Sequence, residues 1–174
     1  MALRGEALFI NGIYRAVLRQ ILYVQRHVST HIMFLQPYSS KRIAHLAKNP
    51  PSVTDRVLVF FSVHRNLSQI SYTAEIVGWD DKIELENRCK DRRDTINCLI
   101  GKLQPEDREL YMEVGGRKCA NLLSIWRLQK LKPFSVGELI LTSTGKPHST
   151  NRTTPGGWSY VKNPGDEWLR QYLI

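Results

Sequence analysis

Two runs near the middle of the chain limit the fold more than any other feature. Residues 56–63 (RVLVFFSV) and 70–79 (ISYTAEIVGW) are dense in β-branched and aromatic side chains, which suit a pleated, half-buried surface. Only residues 64–69 separate them, the size of a longer hairpin loop, so the two are predicted to pair antiparallel. An all-helical fold is thereby excluded. With 174 residues, 42% of them hydrophobic, the chain is expected to form one packed domain that needs neither metal nor disulfides for stability.

The flanking segments supply the other elements. Ala7, Ile10, Ile13, Tyr14, Val17, Leu18, Ile21 and Leu22 recur at helical spacing, so an amphipathic N-terminal helix is predicted over residues 6–25, within a segment 1–28. Arg15, Arg19 and Arg26 fall on its opposite face, as either a phosphate-contacting stripe or a solvated surface. Residues 31–36 read as a short strand ended by Pro37, and Ser39 or Ser40 can cap a helix running to Lys48. Asp81 with Glu84, and Asp91 with Asp94, mark two further helix starts. Residues 110–114 and 119–130 read as strands joined at Gly115-Gly116. Ser135-Val136-Gly137-Glu138 forms a capping box for a short helix to about Leu141. Residues 142–157 are polar, aperiodic and too long for an ordinary connection, which marks a functional or disordered loop. A last strand over 158–161 and a short helix from Asp166 complete the chain. The expectation is an α+β domain of five or six strands. Residues 31–141 would form a small barrel, and residues 142–174 a flexible loop and C-terminal segment.

Charge bears on partners. Lys plus Arg is 25 against 16 Asp plus Glu, a net charge of +9. Residues 1–50 hold seven basic and one acidic side chain (+6), residues 51–100 seven and eight (−1), and residues 101–174 eleven and seven (+4). Basic ends around a balanced middle suit a polyanion such as nucleic acid; generic solubility charge is the alternative. Cys89, Cys98 and Cys119 lack the close pairing of a zinc site and are expected to be free thiols in a reducing compartment. No apolar run reaches the ~20 residues that span a bilayer. A soluble, cytoplasmic protein with no membrane partner is expected.

Three blocks, in order, resemble the EVE family of the PUA-like superfamily. Phe34-Leu35-Gln36-Pro37-Tyr38-Ser39 is similar to that family's first strand and its Ser-Glu-Pro-like turn, without the acidic residue. Residues 53–61 (VTDRVLVFF) followed by 72–78 (YTAEIVG) resemble its Val-Gly-Asp-x-Val-x-Phe-Tyr strand and Ala-Glu-Val-Val return strand. Residues 127–139 (RLQKLKPFSVGEL) resemble its late strand, Lys-Leu-x-x-Pro stretch and capped short helix. The resemblance implies a PUA-like β-barrel, extended here by the N-terminal helix. It also implies a nucleic-acid reader that holds a modified or flipped base in an aromatic pocket. Gln36, Tyr38 and Ser39 would occupy the turn lining that pocket, with Ser62 and His64 at the end of the next strand.

Catalytic signatures are not found in the sequence. Nucleophile elbow, phosphate-binding loop, dinucleotide fingerprint and His-Asn-His pattern are missing. His27 and His31 lack the glutamate of the helical zinc motif, and capping or solvated pairs account for Asp80, Asp81, Asp91 and Asp94. No catalytic residue, metal or cofactor is assigned. A base taken out of its stack needs flat apolar walls and a few polar groups. Trp79 ends a predicted strand and stands either at a pocket rim or at a core edge. Trp158, after Gly156-Gly157, is expected to be a lid or wall, and Trp126, mid-strand, core. Lys146, Arg152 and Lys162 flank Trp158 and would grip phosphates. The expected function is recognition of methylated or hydroxymethylated cytosine, in DNA rather than RNA. The chain would be free-standing or the reader part of a modification-dependent restriction system, associated with a nuclease domain or subunit. An RNA-binding PUA-like module and an enzyme acting on a modified nucleoside, with His64 as its base, are the rivals.

Overall fold

The computed structural model describes residues 2–27, 32–35, 46, 48–81, 121–151 and 157–174. Its strands are β1 (Ala2–Leu3), β2 (Glu6–Ile13), β3 (Ile32–Leu35), β4 (Asp55–Val63), β5 (Asn66–Asp81), β6 (Asn121–Ser135) and β7 (Trp158–Lys162). Helix α1 (Arg15–His27) follows β2, a 3-10 turn (Val136–Glu138) follows β6, and helix α2 (Asp166–Arg170) follows β7. The strands lie in the order β3-β6-β5-β4-β2-β7, with β1 paired to β4 beside that path. Among the described residues β3 and β7 are not paired with each other, so the sheet is open. The fold is α+β with a mixed sheet: β1 and β2 run parallel to β4, and the other pairs are antiparallel.

The central hairpin forms as its composition dictates. Val57 pairs with Ile76 and Phe61 with Tyr72, antiparallel as expected. The connection is tighter than the predicted loop. Val63 pairs with Asn66 across His64-Arg65, and Arg65 takes a positive φ of 71°. A non-glycine residue there hides the turn from a search for glycine or asparagine.

The N-terminal half of the predicted first helix is instead β2. Ala7 and Phe9 face one core and Leu8 and Ile10 the other. A central strand buried on both faces carries an unbroken apolar run, and such a run satisfies helical spacing as well. Gly12, at φ 80°, sits at the register shift between Ile10 and Ile13 near the end of β2, before α1 begins. The sheet therefore draws in β2 and β7, outside the expected barrel core of residues 31–141.

Both faces of the sheet are covered. On one, Val17, Leu18 and Ile21 of α1 pack over Leu8, Ile10, Val59, Phe61, Ala74, Ile76, Leu123 and Ile125. On the other, Leu139 and, from the C-terminal segment, Trp168, Leu169 and Tyr172 cover Phe9, Phe60, Ile70, Leu131 and Phe134. The expected flexible loop is partly ordered by its own hydrogen bonds. Leu141 N–H donates to Lys146 (2.9 Å) and His148 N–H to Leu139 (2.8 Å). The capping box is reduced to a 3-10 turn, in which Ser135 Oγ accepts from Gly137 N–H. The helix predicted to end at Lys48 lies mostly outside the described residues, although Leu46 and Lys48 are helical. Asp81, predicted to open a helix, is instead the last residue of β5, paired with Asn121; the rest of that helix, the helix start at Asp91 and the strand at 110–114 lie outside the described residues.

Candidate functional site

Strand register divides the expected pocket between two ends of the sheet. Trp79 pairs with Leu123 of β6, and Leu123 pairs with Leu35 of β3. One row of the sheet thus carries Trp79 at the end of β5 and delivers the chain, after Leu35, into Gln36-Pro37-Tyr38-Ser39. Gln36, Tyr38 and Ser39 lie outside the described residues. Asp81 pairs with Asn121, so β5 ends and β6 begins beside the same row.

Ser62 and His64 stand at the opposite end. Tyr72, the partner of Phe61, precedes Trp79 by seven residues, which is about 20 Å of strand. Ser62 is fully buried, and its Oγ accepts the N–H of Gly12 at 3.1 Å; it is a structural hydroxyl. His64 stacks on Tyr14 with ring centroids 4.9 Å apart, and its N–H donates to Ile13 at 2.9 Å.

Trp158 is not a lid. Its pairing with Ile10 sets it in the core under α1, only 2% exposed. The Gly156-Gly157 dipeptide that suggested mobility is tied down on one side, because Gly157 N–H donates to the buried Asn11 Oδ1 at 2.5 Å and Gly157 O accepts Asn11 N–H at 3.0 Å. Lys146 and Lys162 are exposed, but both belong to the β7 edge: Leu141 bonds Lys146 and bridges Val161. Two strands, β4 and β2, lie between β5 and β7, so three inter-strand steps, about 14 Å, separate them. Arg152 lies outside the described residues.

Trp79 is placed differently from Trp158. It is half-buried against the α1 side of the core, and its indole Nε1 is buried with no hydrogen-bond partner among the described residues. A buried donor left unpaired is costly and is rare unless another group completes it. Its neighbour Gly78 admits close approach of β6: a Cβ there would lie 3.1 Å from both Cβ and Oγ of the buried Ser124.

A second cluster escaped the sequence. Trp126, expected in the core, is half-buried on the far face. The guanidiniums of Arg56 and Arg127 lie over its ring at 5.6 and 4.9 Å from the centroid. Glu75 joins them, accepting from Arg56 at 2.5 Å and Arg127 at 3.4 Å. Pairing of Glu75 with Trp126 on adjacent strands creates this group, a contact that no local spacing announces.

His148 and Ser159 form a Ser–His pair, with Nε2 2.9 Å from Oγ and Nδ1 2.8 Å from the Ser149 carbonyl. Both residues are buried, Ser159 completely, so the hydroxyl is closed to any substrate. Among the described residues no group of three or more His, Cys, Asp or Glu side chains could hold a metal ion. Cys89, Cys98, Cys119 and His31 lie outside those residues. No described helix is long and apolar enough to cross a membrane.

No family model, curated protein or solved structure matches the chain.

Proposed function

We propose that the chain is a PUA-like, EVE-type module that binds nucleic acid, DNA in preference to RNA, and reads a methylated or hydroxymethylated cytosine. The observation that carries this reading is Trp79. Its ring is half-buried, its indole N–H is buried without an acceptor among the described residues, and its row of the sheet leads through Leu35 to Gln36, Tyr38 and Ser39. A flipped base needs a flat apolar wall beside polar groups for its edge. Trp79 offers the wall and an unused donor, and the residues that follow β3 in sequence carry an amide, a phenol and a hydroxyl.

A PUA-like barrel is part of the same proposal. One continuous core draws on β2, β4, β5, β6 and β7 together, as the curled sheet of a small barrel requires. Ser62, His64 and Trp158 drop out of the pocket. The module acts as a reader, alone or beside a nuclease domain or subunit of a modification-dependent restriction system.

The test is binding to matched DNA and RNA oligonucleotides, plain, methylated and hydroxymethylated. Stacking on an aromatic ring is worth about 1–3 kcal/mol per base, so Trp79→Ala lowers affinity for the modified DNA by roughly one to two powers of ten and narrows the discrimination. Melting temperature is measured on the same variant. A folded Trp79→Ala protein that discriminates as well as wild type removes Trp79 from the site. Preference for RNA transfers the reading to a ribose-dependent partner.

A further inference from the structure

We propose that the solvent face of α1 is a track for a nucleic-acid backbone, distinct from the Trp79 pocket. The inference rests on the nucleic-acid part of the reading above and not on base recognition. Arg15, Arg19, Tyr23 and Arg26 are all exposed, Tyr23 at 49%. At 100° per residue they share an arc of about 80°, and they span about 17 Å of helix axis, with a basic or aromatic side chain at every turn. The helix RAVLRQILYVQRH holds no acidic residue, in its first turn or elsewhere. Among the described residues none of the three arginines is in an ion pair.

The arrangement costs helix stability, because Arg15 places a cation beside the positive end of the helix dipole with no carboxylate to offset it. Arg65, exposed in the two-residue turn whose His64 bonds Ile13, extends the positive charge past the start of the helix. At the other end Gln25 clamps Leu128 of β6, donating to its carbonyl and accepting its N–H, both at 3.0 Å. Leu128 is five residues from Leu123, so the track points toward the Trp79 row from about 17 Å away. Trp79 and α1 share one face of the sheet.

Charge and chemistry choose the occupant. A membrane surface would need an apolar helix face free to enter the lipid, and Val17, Leu18 and Ile21 of α1 are committed to the core. A strand of phosphates matches a row of guanidiniums with an interleaved ring, since arginine grips phosphate bidentately and tyrosine stacks on bases.

The experiment titrates salt against the affinity of the full chain for plain single- and double-stranded oligonucleotides. The variants are Arg15→Ala/Arg19→Ala/Arg26→Ala together, Tyr23→Ala, and Lys146→Ala/Lys162→Ala as the comparison. Loss of three phosphate contacts flattens the slope of log affinity against log salt by about 2 on single strands and nearly 3 on duplex. The expected result is that flattening, a loss of roughly tenfold or more at moderate salt, a melting temperature no lower than that of the wild type, and unaltered preference for a modified base. An unchanged slope in the arginine variant overturns the track, as does loss of its binding to vesicles of anionic lipid or to polyglutamate with oligonucleotide affinity intact. A wild-type protein that binds plain and modified DNA equally overturns base reading and leaves the track standing.

Discussion

The ring of His64 stacks on that of Tyr14, with centroids 4.9 Å and planes 28° apart. Tyr14 sits between β2 and α1, and His64 sits in the turn between β4 and β5. The contact therefore locks the entry of α1 onto the central hairpin, at the end of the sheet away from Trp79. His64→Ala is expected to cost about 0.5–1.5 kcal/mol of stability, the worth of an aromatic pair. Discrimination between modified and plain oligonucleotides should persist. Chemical denaturation and binding on the same variant check both halves, and loss of discrimination in a stable variant would return His64 to the pocket.

Trp158 and Trp79 are expected to behave as opposites. Trp158 is enclosed in the core, so Trp158→Ala should destabilise by about 3–5 kcal/mol and weaken binding only as the folded fraction falls. Trp79 is half-buried, and its substitution should affect ligand discrimination more than melting temperature. Binding measured well below each melting transition separates the two.

The central hairpin was legible because its two runs carry a strong β signal within a few residues of each other. β7 and α2 were legible for the same local reason. β2 was not: burial on both faces removes the alternation that marks a strand, and its apolar positions run in helical phase into the true helix at Arg15. For the candidate site, Trp79 and the end of β3 that leads toward Tyr38 fall at one end of the sheet because β3 and β5 both flank β6, a relation that depends on strand order. The same order sends Ser62 and His64 to the other end, although they follow a neighbouring strand. Asn11 holding Gly157 across 146 residues has no local signature, nor has the pairing of Trp158 with Ile10 that sets its ring in the core. Tyr23 was readable, standing four residues after Arg19 on the arginine face.

Acid should loosen the N-terminus first. Arg4 grips Asp55 through two hydrogen bonds, Nε to Oδ1 at 3.0 Å and a terminal nitrogen to Oδ2 at 2.7 Å, and also donates to the carbonyls of Asn49 and Pro50. The hydrogen bond from Arg4 holds the Asp55 carboxyl below its ordinary value of 3.8. A depressed folded-state value means that this contribution is complete above the unfolded value and is lost as pH falls through the folded one. Asp55→Asn should therefore flatten the acid limb of the stability curve below about pH 4. Hydrogen exchange at Arg4 and Arg56, followed against pH, reads the change.

The C-terminal segment should open at the other extreme. Tyr172 donates its hydroxyl to Glu138, and that hydrogen bond to a carboxylate raises the phenol from 10.0 to about 12. A raised value means that the contribution is full below the unfolded value and is lost as pH climbs through the folded one. Between pH 10 and 12 the segment carrying Trp168 and Tyr172 should lift from Phe134. Tyr172→Phe should remove that pH dependence while keeping most of the ring packing. Tryptophan fluorescence against pH, compared between wild type and Tyr172→Phe, follows the release.

Glu75 is expected to be the most sensitive polar position in the described sheet. Its carboxylate and the Arg56 guanidinium it accepts from are nearly buried, with side chains 13% and 9% exposed, and Arg56 Nε has no hydrogen-bond partner among the described residues. Glu75→Gln leaves that guanidinium buried without a counter-charge, and breaking such a pair from one side costs about 3–5 kcal/mol. Arg127 is a different case. It is 55% exposed and 3.4 Å from Glu75, so its ion pair and its contact with the Trp126 ring together should contribute only about 1 kcal/mol. Its backbone, at φ 54°, is left-handed at a register shift between β5 and β6, where a Cβ costs about 1–2 kcal/mol and glycine almost nothing. Arg127→Gly should thus be more stable than Arg127→Ala by about 1 kcal/mol, reversing the usual order for a strand. Urea denaturation of the three variants ranks them. If Ala exceeded Gly, strand propensity would outweigh the strained backbone, and if Glu75→Gln were neutral, Arg56 would have to find another partner on losing the carboxylate.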